Sequence, residues 1–114
     1  MTPNLEQRLV ALADLLPNWD GEGAPSIDRD IIAAARLLAA NFPDWAKDSC
    51  HIGPGTRGNL QFEWEKHDAY LEVEFESPVD VTYLFIVQPD IEEEGTVGID
   101  YIGHILQTFK EASE

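Results

Sequence analysis

The stretch Leu60-Gln61-Phe62-Glu63-Trp64-Glu65, with Leu71-Glu72-Val73-Glu74-Phe75-Glu76 downstream of it, decides the fold class of this chain. Apolar and polar residues alternate strictly in both. Successive side chains of a β-strand point to opposite faces, so each stretch reads as a strand with one buried and one solvated face. Lys66-His67-Asp68 reads as the turn that joins them into an antiparallel hairpin. Ser77-Pro78-Val79-Asp80 then leads into Val81 to Val87, a third strand apolar on both faces. Upstream, Cys50-His51-Ile52 suits a short edge strand before the Gly53-Pro54-Gly55 and Arg57-Gly58 turns.

The ends of the chain have helical period instead. Leu5, Leu9, Leu12 and Leu16 recur at helical spacing, with Val10 and Leu15 widening the stripe. This predicts an amphipathic helix from about Asn4 to Leu16, stopped by Pro17. A second helix is predicted from Pro25-Ser26, with Ser26 as N-cap, Asp28 and Asp30 complementing the dipole, and a stripe of Ile27, Ile31, Ala35, Leu38 and Phe42. The short link makes the pair an αα-hairpin. Ile102, Ile105, Leu106 and Phe109 mark a C-terminal helix that packs on the sheet. The expectation is one α+β domain over residues 1–114: an N-terminal αα-hairpin, an antiparallel sheet of three to four strands, and a C-terminal helix.

The link Leu16-Pro17-Asn18-Trp19-Asp20-Gly21-Glu22-Gly23-Ala24-Pro25 is the sharpest motif. It resembles a turn in small, mostly uncharacterised bacterial and mobile-element proteins, where Leu-Pro, then Trp-Asp-Gly-x-Gly-Ala, joins two helices. The similarity continues loosely into residues 58–65 and 70–74, and it implies a fold without an activity. The residues explain themselves structurally: Trp19 caps the core, Asp20-Gly21 suits a turn needing positive φ, and Gly23 allows a second such residue. A phosphate loop is disfavoured, because Asp20 and Glu22 would repel the ligand and no Lys or Arg lies between Asp14 and Asp28.

Charge carries the functional information. The 114 residues hold 22 acidic and 7 basic side chains, a net of −15. Residues 59–100 hold 12 of the acidic side chains and one basic residue, Lys66, whereas residues 1–58 hold 8 acidic and 5 basic. The charge therefore sits on the sheet and on the segment after it. A field of this sign repels nucleic acid and anionic lipid and steers cationic partners inward. No apolar run approaches the roughly 20 residues of a membrane span. The segment Met1-Thr2-Pro3-Asn4-Leu5-Glu6 has neither a basic nor an apolar signal region, so a cytoplasmic location is expected.

Catalytic and metal chemistry find little support. The single cysteine, Cys50, excludes an internal disulfide and a multi-cysteine zinc site. Cys50 and His51 are adjacent on a strand and point apart, while His67 and His104 fall in a turn and a helix, so neither a metal nor another cofactor is expected. Glu63, Glu65, Glu72, Glu74 and Glu76 project from one sheet face. Leu84 and Ile86 join them if Tyr83, Phe85 and Val87 face the core, unless the C-terminal helix covers them. The acidic loop Asp90-Ile91-Glu92-Glu93-Glu94 extends the field. This pattern points to a non-enzymatic module that binds a basic protein surface, such as one that normally binds nucleic acid: an inhibitor, antitoxin, immunity or phage anti-defence protein. An adaptor whose acidity serves solubility alone competes with this reading. A metal-dependent carboxylate enzyme stands third.

Overall fold

A computed structural model describes residues 3–114. Met1 and Thr2, the start of the segment read above for a signal, lie outside the described residues. Helix α1 spans Leu5–Ala13, α2 Arg29–Ala40 and α3 Asp44–Ser49. Strands β1 His51–Pro54, β2 Leu60–Lys66, β3 Ala69–Phe75, β4 Asp80–Val87 and β5 Ile91–Gly98 follow. One 3₁₀ turn, Ile99–Tyr101, leads into α4, Ile102–Ala112. The architecture is α+β, with helices, then an antiparallel sheet, then a helix. The strands form a meander in the order β1-β2-β3-β4-β5.

The alternating strands sit as their pattern requires. Leu60, Phe62 and Trp64 of β2 and Leu71, Val73 and Phe75 of β3 are buried on one face of the sheet. The hairpin between them has a two-residue loop, with His67 at φ 55° and Lys66 paired to Ala69. Leu5 and Leu9 of α1, Ile31, Ile32, Ala35 and Ala39 of α2, Ala46 of α3, and Ile102, Ile105, Leu106 and Phe109 of α4 join those strand residues in one core. All four helices therefore cover the same sheet face. Phe42 sets its ring edge-on to Phe62 and Trp64, at centroid distances of 5.5 and 5.6 Å, and Trp45 stacks on Phe109 at 6.0 Å.

The sheet has five strands, not three or four. Ile91–Gly98 pairs with β4 along its whole length, from Val87–Ile91 to Asp80–Gly98. Three consecutive glutamates hide the strand period, and what holds the segment extended is the ladder of β4. Charged residues are common on such an edge, where they discourage pairing with other chains. The six-residue helix α3 was also not expected. It is too short to show a helical period, and it is fixed by Ala46, which is buried and whose carbonyl accepts the indole N–H of Trp64 at 2.9 Å.

The helical pair is looser than a tight αα-hairpin. Helix α1 starts in a capping box, Asn4 Oδ1 accepting from Gln7 N and Gln7 Oε1 from Asn4 N. It stops at Ala13 rather than Leu16: Pro17 has no N–H to bond the Ala13 carbonyl four residues back, and it disfavours helical backbone at Leu16. Leu16 is left 74% exposed. Helix α2 is capped by Asp28, not Ser26: Asp28 Oδ1 accepts from Asp30 N and Ile31 N. The Asp28 amide also donates to the Gly58 carbonyl at 2.8 Å, which pins the chain to the β1–β2 loop and delays the helix. Residues 14–28 thus form a long link, although α1 and α2 still pack together.

Within that link, Asn18, Gly21 and Gly23 take φ values of 67°, 76° and 87°. Asn18 N donates to Ala24 O at 2.7 Å and Gly23 N to Asn18 Oδ1 at 2.6 Å, while Asp20 Oδ1 accepts from Glu22 N and Ala24 N. Trp19 is half-buried and lies outside the core; its indole N–H closes the loop on Pro25 O at 3.0 Å. The reading of Trp19 as a core cap is corrected accordingly. Full burial would make Trp19→Ala cost about 3–5 kcal/mol. One hydrogen bond and partial burial give instead about 1–2 kcal/mol, seen as a drop of a few degrees in a thermal melt.

Candidate functional site

The helices leave the second sheet face uncovered. Its side chains come from the polar positions of β2 and β3 and from every second residue of β4 and β5. Register arranges them in rows across the strands. Glu63, Glu72, Leu84 and Glu94 stand side by side in one row, and Glu65, Tyr70, Ile86 and Glu92 in the next. Gln61, Glu74, Thr82 and Thr96 form a third. Glu76 continues beyond Glu74, where Thr82 Oγ1 lies 3.4 Å from its carboxylate. Neighbouring strands lie ~4.8 Å apart, and alternate residues on one strand ~6.8 Å apart. The result is a lattice of carboxylates around two aliphatic side chains.

Leu84 and Ile86 lie on this face because Phe85 is buried against the core and Tyr83 and Val87 pack on it. Helix α4 packs on the opposite face, so it does not cover them. Both are half-buried by their neighbours in the rows.

Two features of the acidic segment differ from expectation. Residues 91–94 belong to a strand, not a loop, and strand geometry separates their side chains. Glu92 and Glu94 join the bare face. Glu93 lies opposite Phe85 in register and therefore points to the helical side, where it accepts the Tyr83 hydroxyl at 2.7 Å. That carboxylate raises the Tyr83 pKa, chiefly by holding its proton in the hydrogen bond.

Hydrogen bonds fix several of the carboxylates. Gln61 Nε2 donates to Glu63 Oε1 at 2.6 Å and the Tyr70 hydroxyl to Glu72 Oε2 at 3.0 Å. Burial and the Glu72 carboxylate both push the Tyr70 hydroxyl well above its ordinary range, so it remains a donor. At one corner Arg57 Nη2 reaches Glu74 Oε1 at 2.9 Å and Glu76 Oε2 at 3.3 Å, and the buried Asn59 donates Nδ2 to Glu74 Oε1 at 2.8 Å. Sequence reasoning did not include Arg57, Asn59, Gln61 or Tyr70 in the site. The only available signal was Arg57 itself, the one arginine just ahead of the acidic stretch.

Glu74 therefore differs from its neighbours. Desolvation and the adjacent Glu76 carboxylate raise its pKa, against the opposing pull of Arg57. In the helix–helix link Asp20 is shifted the other way, lowered by the amides of Glu22 and Ala24. The signs of the stability effects follow. A raised folded pKa means that the folded state takes up a proton before the unfolded chain does, so Glu74 adds stability as pH falls towards the ordinary carboxylate range near 4.3. A depressed folded pKa means that Asp20 stabilises above about pH 4 and that this is lost as pH falls through its folded value. Thermal melts from neutrality down to about pH 3 should pass through a maximum near the upper edge of the carboxylate range. Glu74→Gln, which keeps an acceptor for Asn59 and Arg57, should flatten the rising limb. An unchanged rise in that variant would assign it to general charge repulsion.

The remaining candidates are dispersed. Cys50 is buried, and burial pushes its thiol up to about 12, which leaves it protonated at neutral pH. His51 sits on β1, His67 in the hairpin turn and His104 on α4. Among the described residues no three His, Cys, Asp or Glu side chains come together in a group that could hold a metal ion. No described helix is long and apolar enough to cross a membrane. No family model matches the chain, and neither a curated protein nor a solved structure shows detectable similarity to it.

Proposed function

We propose that this chain is a non-enzymatic interaction protein whose bare sheet face binds a basic protein surface. The observation that carries the reading is the paired rows Glu63-Glu72-Leu84-Glu94 and Glu65-Tyr70-Ile86-Glu92 on a face with no helix over it. Aliphatic and aromatic side chains supply contact area at the centre of a protein interface, and a charged surround supplies steering and register. A solubility device needs no such mixture. Regularly spaced carboxylates on a rigid sheet present a pattern of negative charge that an Arg/Lys groove shaped for phosphates can accept. The protein is then a nucleic-acid mimic in the electrostatic sense. Inhibitors of nucleases, antitoxins, immunity proteins and phage anti-defence proteins would use such a surface.

The test uses immobilised protein, a panel of purified basic nucleic-acid-binding proteins, and duplex DNA as competitor. A cognate partner should associate quickly at low salt, weaken steeply as ionic strength passes about 0.15 M, and be displaced by the DNA. Binding that is indifferent to salt, or that leaves the partner free to hold DNA at the same time, would refute the reading.

A further inference from the structure

A large concavity lies away from the acidic sheet face, where α1, α2 and the end of α3 meet the start of β1. It is an open groove of about 1290 Å³, somewhat larger than the ~300–1000 Å³ typical of small-ligand sites. Three of the chain's seven basic side chains line it: Arg8, Arg36 and Lys47. Only two carboxylates, Glu6 and Asp48, line it with them. In a chain of net charge −15 this is a local reversal of sign.

The state of those cations is informative. Arg36 is spoken for, since its guanidinium pairs with Glu6 between α2 and α1, with Nε 2.7 Å from Glu6 Oε1. Arg8 and Lys47 are different. Both are half-buried, and neither has a carboxylate within ion-pair distance among the described residues, where every ion pair is made by Arg36 or Arg57. Arg8 is held in place by donating Nη1 to the Cys50 carbonyl at 2.8 Å, yet its buried Nε has no partner among the described residues. Partly desolvated cations without a counter-charge are costly, and 22 carboxylates were available to neutralise them. Beside them the groove wall is apolar: Ala33 and Ala40 line it, and Leu37 stands 72% exposed to solvent.

We propose that this groove binds a small amphipathic anion, an apolar body carrying one carboxylate or phosphate, with Arg8 and Lys47 as its counter-charges and Leu37 against its body. The ligand supplies the missing negative charge and covers the exposed leucine. The net field of the protein repels anions from bulk solvent, so saturable anion binding requires a local site of this kind.

The probe is 1-anilinonaphthalene-8-sulfonate, an anion with an aromatic body, titrated by fluorescence against the folded protein. One equivalent should bind saturably, octanoate should displace it, and 1-octanol at equal concentration should not. Leu37→Glu, at an exposed position, and Lys47→Glu should each weaken the probe at least tenfold, with circular dichroism and melting temperature checking that each remains folded. Glu72→Lys/Glu94→Lys on the sheet face should bind the probe as the wild type does, so the outcome is independent of the function proposed for that face. No saturable binding, displacement by octanol as good as by octanoate, or wild-type affinity in both groove variants would overturn the proposal.

Discussion

Lysine at both Glu72 and Glu94 should weaken association with the basic partner by about 2 kcal/mol or more, roughly 30-fold, while leaving the fold intact. The two glutamates flank Leu84 in the same cross-strand row, Glu72 on the central strand β3 and Glu94 on the edge strand β5. Inverting both changes the charge by four units where the partner's cations must sit. Hot-spot losses of this size are characteristic of the centre of an interface and not of its rim. Stability should move the other way. Glu63 and Glu72 lie directly opposite each other, an arrangement that destabilises a sheet by a few tenths of a kcal/mol, and lysine at 72 turns it into an attractive pair. The lost Tyr70–Glu72 hydrogen bond offsets part of that gain. Affinity and melting temperature measured on the same two proteins decide the matter. Unchanged affinity would remove this face from the mechanism and return its acidity to solubility.

The choice of residues depends on contacts that only the folded chain shows. Glu72 and Glu74 look equivalent along β3, but Glu74 accepts from the buried Asn59 and from Arg57. Lysine there would strand the Asn59 amide and set two cations together. A loss of binding in such a variant would confound local unfolding with a lost contact. Glu94 has no such obligation, which makes it the cleaner partner for Glu72.

Why some of this was legible in the sequence and some was not follows from where each residue's partners lie. Strands β2 and β3 carry their own evidence, since strict alternation both defines a strand and assigns its faces. The same hairpin logic placed Leu84 and Ile86 beside the glutamates once Phe85 was taken as a core residue. Strand β5 carries no such evidence. Glu92-Glu93-Glu94 has no period, and the segment is a strand because β4 offers it a complete ladder. Its faces then separate Glu93 from its two neighbours, which a loop would not have done. The start of α2 has the same character. Ser26 and Asp28 are both good N-caps by residue type, and the bond from the Asp28 amide to Gly58 O, thirty positions away, decides between them. The Arg57–Asn59–Glu74 corner likewise joins residues that only the β2–β3 register brings together.

Trp64→Ala should cost about 3–5 kcal/mol, a large share of the roughly 5–15 kcal/mol that stabilises a typical domain, and lower the melting temperature by on the order of 10–25 °C. Trp64 has no exposed surface and packs between Phe42 and Phe62, with ring centroids 5.6 and 5.9 Å away. Its indole N–H also donates to Ala46 O, tying the middle of the sheet to a helix of six residues. So short a helix has little stability of its own and depends on tertiary contacts. Trp64→Phe separates the two contributions. It keeps an aromatic ring in the cluster but removes the donor, for an expected loss of about 1–2 kcal/mol. Urea unfolding of both variants measures the difference, with Trp19→Ala as the contrast in the helix–helix link. If Trp64→Ala lost no more than Trp19→Ala, the weight of the fold would lie in the link and not in the junction between α3 and the sheet. The geometry predicts the reverse order: Trp64 is enclosed by the rings of Phe62 on its own strand and Phe42 in the α2–α3 connection, whereas Trp19 closes only its own loop.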